Sequence, residues 1–150
     1  MRIHKLLILA VLVVFTSCNN IYNLAVEDLK CENLHNPLGI DKTVPRFSWK
    51  IKSKKNGTIQ AAFHVLVAST KEQLKKNQAD LWNSGKIASE SPVWVVYKGE
   101  TLKPGDHAYW KVRVWDKNGN ISDWSQPAEF GIGLLNATDW QPIDLVLGLS

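Results

Sequence analysis

The sequence predicts an all-β fold, a β-sandwich with one short helical turn, on two observations. Apolar and polar residues alternate from about residue 24 onward, and turn signals recur about every ten residues. The chain also lacks the alternation of strands and long amphipathic helices that builds parallel sheets. Its 150 residues, 45% of them hydrophobic and 9% aromatic, suit one ordinary domain and exclude a disordered tail.

Residues 1–17 are predicted to be the signal peptide of a lipoprotein. Arg2 and Lys5 supply positive charge, and the apolar run Leu6–Phe15 is too short for a membrane span. An apolar residue and two small ones precede Cys18, an order that resembles a bacterial lipobox, in which this thiol receives a diacylglycerol. Plain secretion, with Cys18 incidental, is the alternative.

Residues 18–23 are then expected to be a tether that holds the chain at the outer membrane through its lipid. Asn19 and Asn20 favour the periplasmic face, because no acidic run follows the cysteine. Without Arg2 and Lys5, 16 basic residues remain against 14 acidic ones, and the net charge falls from +4 to +2. We therefore expect no binding to nucleic acid.

The first strand is predicted over Leu24–Glu32, with Cys31 on its buried face as a small hydrophobe rather than a nucleophile. Glu27 and Asp28 are adjacent in this strand. Alternation therefore predicts that their carboxylates point to opposite faces of the sheet.

The second strand begins at Pro45, and the side chains of Phe47 and Trp49 are expected in the core. Asn56–Gly57 predicts a hairpin into a third strand over Gln60–Ser69. Lysines at the end of this hairpin are interpreted as solvated charge.

The only predicted helical segment is Thr70–Gln78, which begins with a capping-box sequence and has Leu74 as its apolar anchor. Strand-like segments follow over Asp80–Ile87 and Val93–Tyr97. These segments predict short strands.

The clearest strand is predicted over His107–Asp116. Trp110, Val112 and Val114 face one side of it, and a last strand is expected from Ile121 to about Leu134. The opposite face of the long strand carries Tyr109, Lys111, Arg113 and Trp115.

Several local patterns resemble a fibronectin type III or immunoglobulin-like module. They are the tryptophan of Phe47–Trp49, the corner Leu102–Gly105, and the tryptophan-serine sequence of Ile121–Ser125. In such modules a guanidinium can stack on the tryptophan of that last sequence. The resemblance therefore implies a contact between Arg113 and Trp124.

A narrower resemblance covers about 110 residues. Its motifs are LKCENL (29–34), NPLGID (36–41), PRFSW (45–49), DLWNSGK (80–86) and YWKVRVWD (109–116). In this order they resemble the N-terminal module of α-L-rhamnosidases of glycoside hydrolase family 78, particularly the exported enzymes of Bacteroides-like bacteria.

This resemblance implies a sandwich module over residues 24–135 without a catalytic role, supporting the domains that follow it in the full-length enzyme. In that family a later (α/α)₆ barrel carries the acidic residues that hydrolyse terminal α-L-rhamnose with inversion. The sequence of residues 136–150 departs from the family pattern, and we interpret it as a truncated or aberrant tail.

No catalytic residue, cofactor or metal ligand is predicted in this chain. Glycoside hydrolysis needs two carboxyl groups across one bond, whereas these acidic residues lie at turns and on outer strand positions. His35, His64 and His107 lack the spacing of metal ligands.

Three tryptophans, Trp94, Trp115 and Trp124, are candidates for an aromatic contact surface. They are expected to pack against neighbouring strands or the following domains. The alternative is a free-standing, lipid-anchored module that binds carbohydrate, such as a rhamnose-containing polysaccharide, or protein.

Overall fold

The computed structural model describes residues 24–136 and residue 139, and this part of the chain contains eight strands and one helix. The elements are β1 (Ala25–Cys31), β2 (Arg46–Lys52), β3 (Gln60–Ala68), α1 (Lys71–Lys75), β4 (Trp82–Asn83), β5 (Ile87–Ala88), β6 (Val95–Val96), β7 (His107–Asp116) and β8 (Ala128–Gly131).

Two antiparallel sheets face each other, which confirms the predicted immunoglobulin-like sandwich. One sheet has the order β1-β2-β6, and the other has the order β4-β3-β7-β8 with β5 also paired to β3. The inner face of β7 carries Trp110, Val112 and Val114, all fully buried as the alternation predicts. The ring of Phe47 from the opposite sheet stacks on that of Trp110, with 4.3 Å between centroids.

Trp49, the other predicted core tryptophan, is also buried, and its polar atom has a partner. Its indole nitrogen donates to the side-chain oxygen of Gln60 at 2.9 Å. The Gln60 amide nitrogen in turn donates to the carbonyls of Ser89 and Ser91, at 3.0 and 3.2 Å. This chain of hydrogen bonds joins the two sheets without leaving the buried amide unsatisfied.

A bulge in β1 makes the prediction for its two acidic residues wrong. Asp28 has φ 55°, and the pairing of β1 with β2 shifts register there. The carboxylates of Glu27 and Asp28 consequently reach Lys52 and Lys50, at 3.1 and 2.8 Å, on one outer face of β2. Beyond the bulge Cys31 is 1% exposed, as predicted, and burial raises the pKa of its thiol to about 12.

The last strand, β8, is shorter than the predicted 121–134, because serine side chains replace strand pairing before it. The backbone N–H groups of Val112 and Val114 donate to the hydroxyls of Ser125 and Ser122, at 3.1 and 3.0 Å. The N–H groups of the same serines donate back to the carbonyls of those valines, at 2.9 Å each. The segment therefore follows β7 without forming a strand.

The helix α1 packs on the outer face of the second sheet and buries Lys111, a charged residue of that face. Thr70 caps its N-terminus as predicted. The Lys111 ammonium donates to the carbonyl of Leu74 and the side-chain oxygen of Asn77, both at 2.7 Å, at the end of the helix. Burial lowers the pKa of Lys111. In the described residues no helix has the length and apolar character needed to cross a membrane.

Candidate functional site

The three candidate tryptophans occupy two separate surfaces. Trp115 and Trp124 lie on the outer face of β7, each half-buried. Trp94 lies just before β6 on the opposite sheet, with its backbone N–H donating to the Ser48 hydroxyl of β2 at 3.3 Å. The three tryptophans therefore lie on two separate surfaces and do not form the single contact surface considered from the sequence.

Over the outer face of β7, cationic side chains lie beside both indole rings. The predicted contact is confirmed, because the Arg113 guanidinium lies 4.5 Å from the ring centroid of Trp124. The same guanidinium lies 5.3 Å from Trp115, whose ring also meets the Lys86 ammonium at 4.7 Å. Lys111 lies 5.1 Å from Trp124. The rings of both indoles are thus in contact with cationic side chains of this same domain, and both residues are less exposed than Trp94.

Trp94 differs from these residues in both exposure and backbone conformation. It is 48% exposed, and its φ is 58°, in the left-handed region that bulky residues avoid. Such a conformation costs about 1–3 kcal/mol and persists only when surrounding contacts hold it. One of those contacts is the Arg46 guanidinium, 4.0 Å from the ring centroid.

Arg46 is itself fixed by Glu32, a residue that sequence analysis did not single out. Its Nε and Nη2 donate to the two carboxylate oxygens of Glu32 at 3.0 and 2.7 Å, and its backbone N–H adds a third bond at 2.8 Å. These bonds, with a weaker one from Lys42 at 3.3 Å, lower the pKa of Glu32 from 4.5 to about 2. Carboxylate, guanidinium and Trp94 indole therefore form one ordered cluster.

Acid should destabilise the fold through this cluster. The pKa of Glu32 is lower in the folded state than in the unfolded state, so its contribution is complete above pH 4.5 and disappears as the pH falls towards 2. We expect Glu32 alone to account for about 2–3 kcal/mol of unfolding free energy lost over that interval.

Urea titrations at a series of pH values, with and without Glu32→Gln, measure this effect. The two stability curves should converge at low pH, and a constant separation between them would contradict the assignment. Glu27→Gln is the control, because its pair with Lys52 is exposed and worth about 0.5 kcal/mol or less.

A small hollow lies beside Trp94 on the outer face of the first sheet. Its volume is about 220 Å³. Its lining consists of three apolar residues and five polar or charged ones, which are Val93, Trp94 and Trp49 together with Asp28, Lys30, Asn33, Ser48 and Lys50.

The described carboxyl groups whose pKa departs clearly from its ordinary value are all shifted downward. For Asp28 the main cause is a hydrogen bond from Lys50, and for Asp80 and Asp116 hydrogen bonds outweigh the opposing effect of burial. A glycosidase general acid needs the opposite, a carboxyl whose pKa its surroundings raise. Within residues 24–136 and 139 no three His, Cys, Asp or Glu side chains are grouped to hold a metal.

The predicted lipidation site, Cys18, and the predicted tether lie outside the described residues, as does most of the tail after residue 136. The expectations for these segments remain predictions.

Comparison with known proteins identifies relatives over the same part of the chain. Residues 26–136 match the family model described as the Rha78A-like, N-terminal immunoglobulin domain. An α-L-rhamnosidase of Formosa agariphila is 45% identical over 105 residues, which are 70% of this chain and 11% of that protein. One from Streptomyces avermitilis is 41% identical over 117 residues, 78% of this chain and 11% of that protein.

Solved structures give the same result. The α-L-rhamnosidase of Dictyoglumus thermophilum superposes with a TM-score of 0.74 at 39% identity, over 78% of this chain and 13% of that one. The Streptomyces avermitilis enzyme, solved in complex with L-rhamnose, superposes with a TM-score of 0.74 at 41% identity, over 79% of this chain and 11% of that one. This chain thus spans about a tenth of the length of these relatives.

Proposed function

The chain belongs to the family of Rha78A-like N-terminal immunoglobulin domains, and from this premise we propose that it is a non-catalytic module of an exported α-L-rhamnosidase-like glycoside hydrolase. Its role is to support further domains, which cleave terminal α-L-rhamnose. The observation that carries this proposal is the family match over residues 26–136, a region that makes up only 11% of relatives named as α-L-rhamnosidases.

The electrostatics of the described carboxyl groups support the non-catalytic role. Glu32, Asp28, Asp80 and Asp116 all have lowered pKa values, so none of them is prepared to donate a proton near neutral pH. We assign the hydrolytic step to domains outside this module because the family match covers an N-terminal immunoglobulin domain alone.

One end of the sandwich is suited to support a following domain. The chain leaves the sandwich there along residues 131–133, which exchange backbone hydrogen bonds of 2.8 Å with Pro37 and Ile40. Beside this junction Leu38 is 81% exposed, and Leu134 and Leu135 are also exposed. An apolar surface next to a rigid exit is what a packed neighbouring domain would cover.

A hydrolysis assay tests the non-catalytic assignment. The purified chain is incubated with p-nitrophenyl α-L-rhamnopyranoside, with the Streptomyces avermitilis enzyme as positive control. We expect no release of p-nitrophenol above the buffer blank. Release by this chain that scales with its concentration would overturn the proposal.

Export and anchoring are proposed on the leader and on Cys18, and fractionation tests them. In a bacterial host that processes lipoproteins, the chain should sediment with membranes, whereas Cys18→Ala should be released by buffer. Equal membrane association of both forms would refute lipid anchoring.

A further inference from the structure

We propose that the hollow beside Trp94 binds an acidic sugar unit, with the indole against the sugar ring and lysine ammonium groups on its carboxylate. This site goes beyond the proposed supporting role and does not depend on it. The proposal rests on three features: the fixed and exposed indole, the polar groups around it, and an excess of positive charge.

The indole of Trp94 is held in place before any ligand arrives. Arg46 stacks on its ring at 4.0 Å, and the two carboxylate oxygens of Glu32 hold that guanidinium. The Ser48 hydroxyl accepts the Trp94 backbone N–H. With 48% of the residue still exposed, the site presents a pre-positioned aromatic surface, and the electron-rich face of an indole attracts the polarised C–H groups of a pyranose.

The lining of the hollow supplies the donors and acceptors that a sugar ring requires. Asn33 contributes an amide, Ser48 a hydroxyl and Asp28 a carboxylate, so hydroxyl groups of a ligand can both donate and accept. The volume of about 220 Å³ is below that of pockets for drug-sized ligands, which begin at about 300 Å³. The hollow therefore suits one ring with its chain continuing into solvent.

The charges around the hollow favour an anionic ring over a neutral one. Lys30 and Lys50 both pair with the single carboxylate of Asp28, at 3.6 and 2.8 Å. Two ammonium groups facing one carboxylate leave one positive charge uncompensated, and the neighbouring carboxylate of Glu27 is itself paired with Lys52 at 3.1 Å. A uronate supplies the missing negative charge at this position.

An NMR titration tests this site in the purified chain. The probes are sodium D-glucuronate and D-glucose, which differ only at C6, where the first has a carboxylate and the second a hydroxymethyl group. We expect glucuronate to shift the Trp94 indole N–H signal with a dissociation constant of about 1–10 mM, and glucose to bind at least about tenfold more weakly.

Variants separate the two parts of the site. Trp94→Ala should weaken glucuronate binding at least about tenfold, and Lys50→Gln about three- to tenfold. Trp115→Ala, which removes a tryptophan from the opposite sheet, is the matched control and should leave the dissociation constant unchanged.

Several outcomes would overturn the site. These are no shift with glucuronate, equal binding of glucose, equal binding by the folded Trp94→Ala variant, or loss of binding in Trp115→Ala. None of them bears on hydrolysis, so failure of this site and failure of the proposed non-catalytic role are distinguishable.

Discussion

Trp110→Ala should lower the free energy of unfolding by about 3–5 kcal/mol, a large part of the stability of a domain this size. Trp110 is fully buried at the centre of β7, where its ring stacks on Phe47 at 4.3 Å and pairs in register with Val67 of β3. Truncation would leave a cavity between the sheets, and neighbouring strands held by hydrogen bonds can close it only in part.

Urea denaturation followed by far-ultraviolet circular dichroism measures this loss without depending on tryptophan fluorescence. Trp115→Ala on the same strand is the matched control, since its half-buried ring contacts Lys86 and Arg113 at the surface. We expect the control to lose about 1 kcal/mol. Equal losses in the two variants would contradict the assignment of Trp110 to the centre of the core.

The second large effect is expected from Gly99→Ala, although it adds only one methyl group. A Cβ atom at this position would lie 2.5 Å from the Cβ of Trp82 and 2.6 Å from the hydroxyl of Tyr97, and against the carbonyl of Leu81. The Tyr97 hydroxyl donates to the carbonyl of Glu100 at 2.8 Å, so the loop cannot move away without breaking that bond. Overpacking of this kind costs about 1–3 kcal/mol or more.

Gly39→Ala is the matched control for this substitution. The nearest atom to its added methyl group is the Cα of Gly133 at 3.6 Å, an ordinary van der Waals contact. Thermal denaturation should show a clear decrease in melting temperature for Gly99→Ala. For Gly39→Ala the free energy of unfolding should change by about 0.5 kcal/mol or less. A melting temperature for Gly99→Ala equal to that of the unchanged chain would show that the loop relaxes freely.

The inward residues of the long strand could be predicted from alternation alone, because a regular strand buries every second side chain. Trp110, Val112 and Val114 follow that rule. Lys111, on the opposite face, is nevertheless buried, because α1 packs over it and the end of the helix supplies two acceptors for its ammonium group. That contact depends on the placement of a helix, which local alternation does not encode.

The cluster around Trp94 could not be predicted for a related reason. Glu32 meets Arg46 only because β1 and β2 pair with Cys31 opposite Phe47, and the bulge at Asp28 sets that register. The contact of Arg113 with Trp124 was predictable, since a tryptophan-serine sequence beside a long strand is itself a recognisable pattern.

The serine segment beside β7 has a consequence for how separate molecules behave towards one another. Strand β8 pairs with β7 only as far as Trp110. Beyond that point, on the side of β7 that β8 leaves uncovered, the backbone N–H groups of Val112 and Val114 would form an exposed sheet edge. Such edges recruit strands from other chains and promote aggregation. Because the hydroxyls of Ser125 and Ser122 already accept these two hydrogens, the edge is closed to intermolecular strand addition.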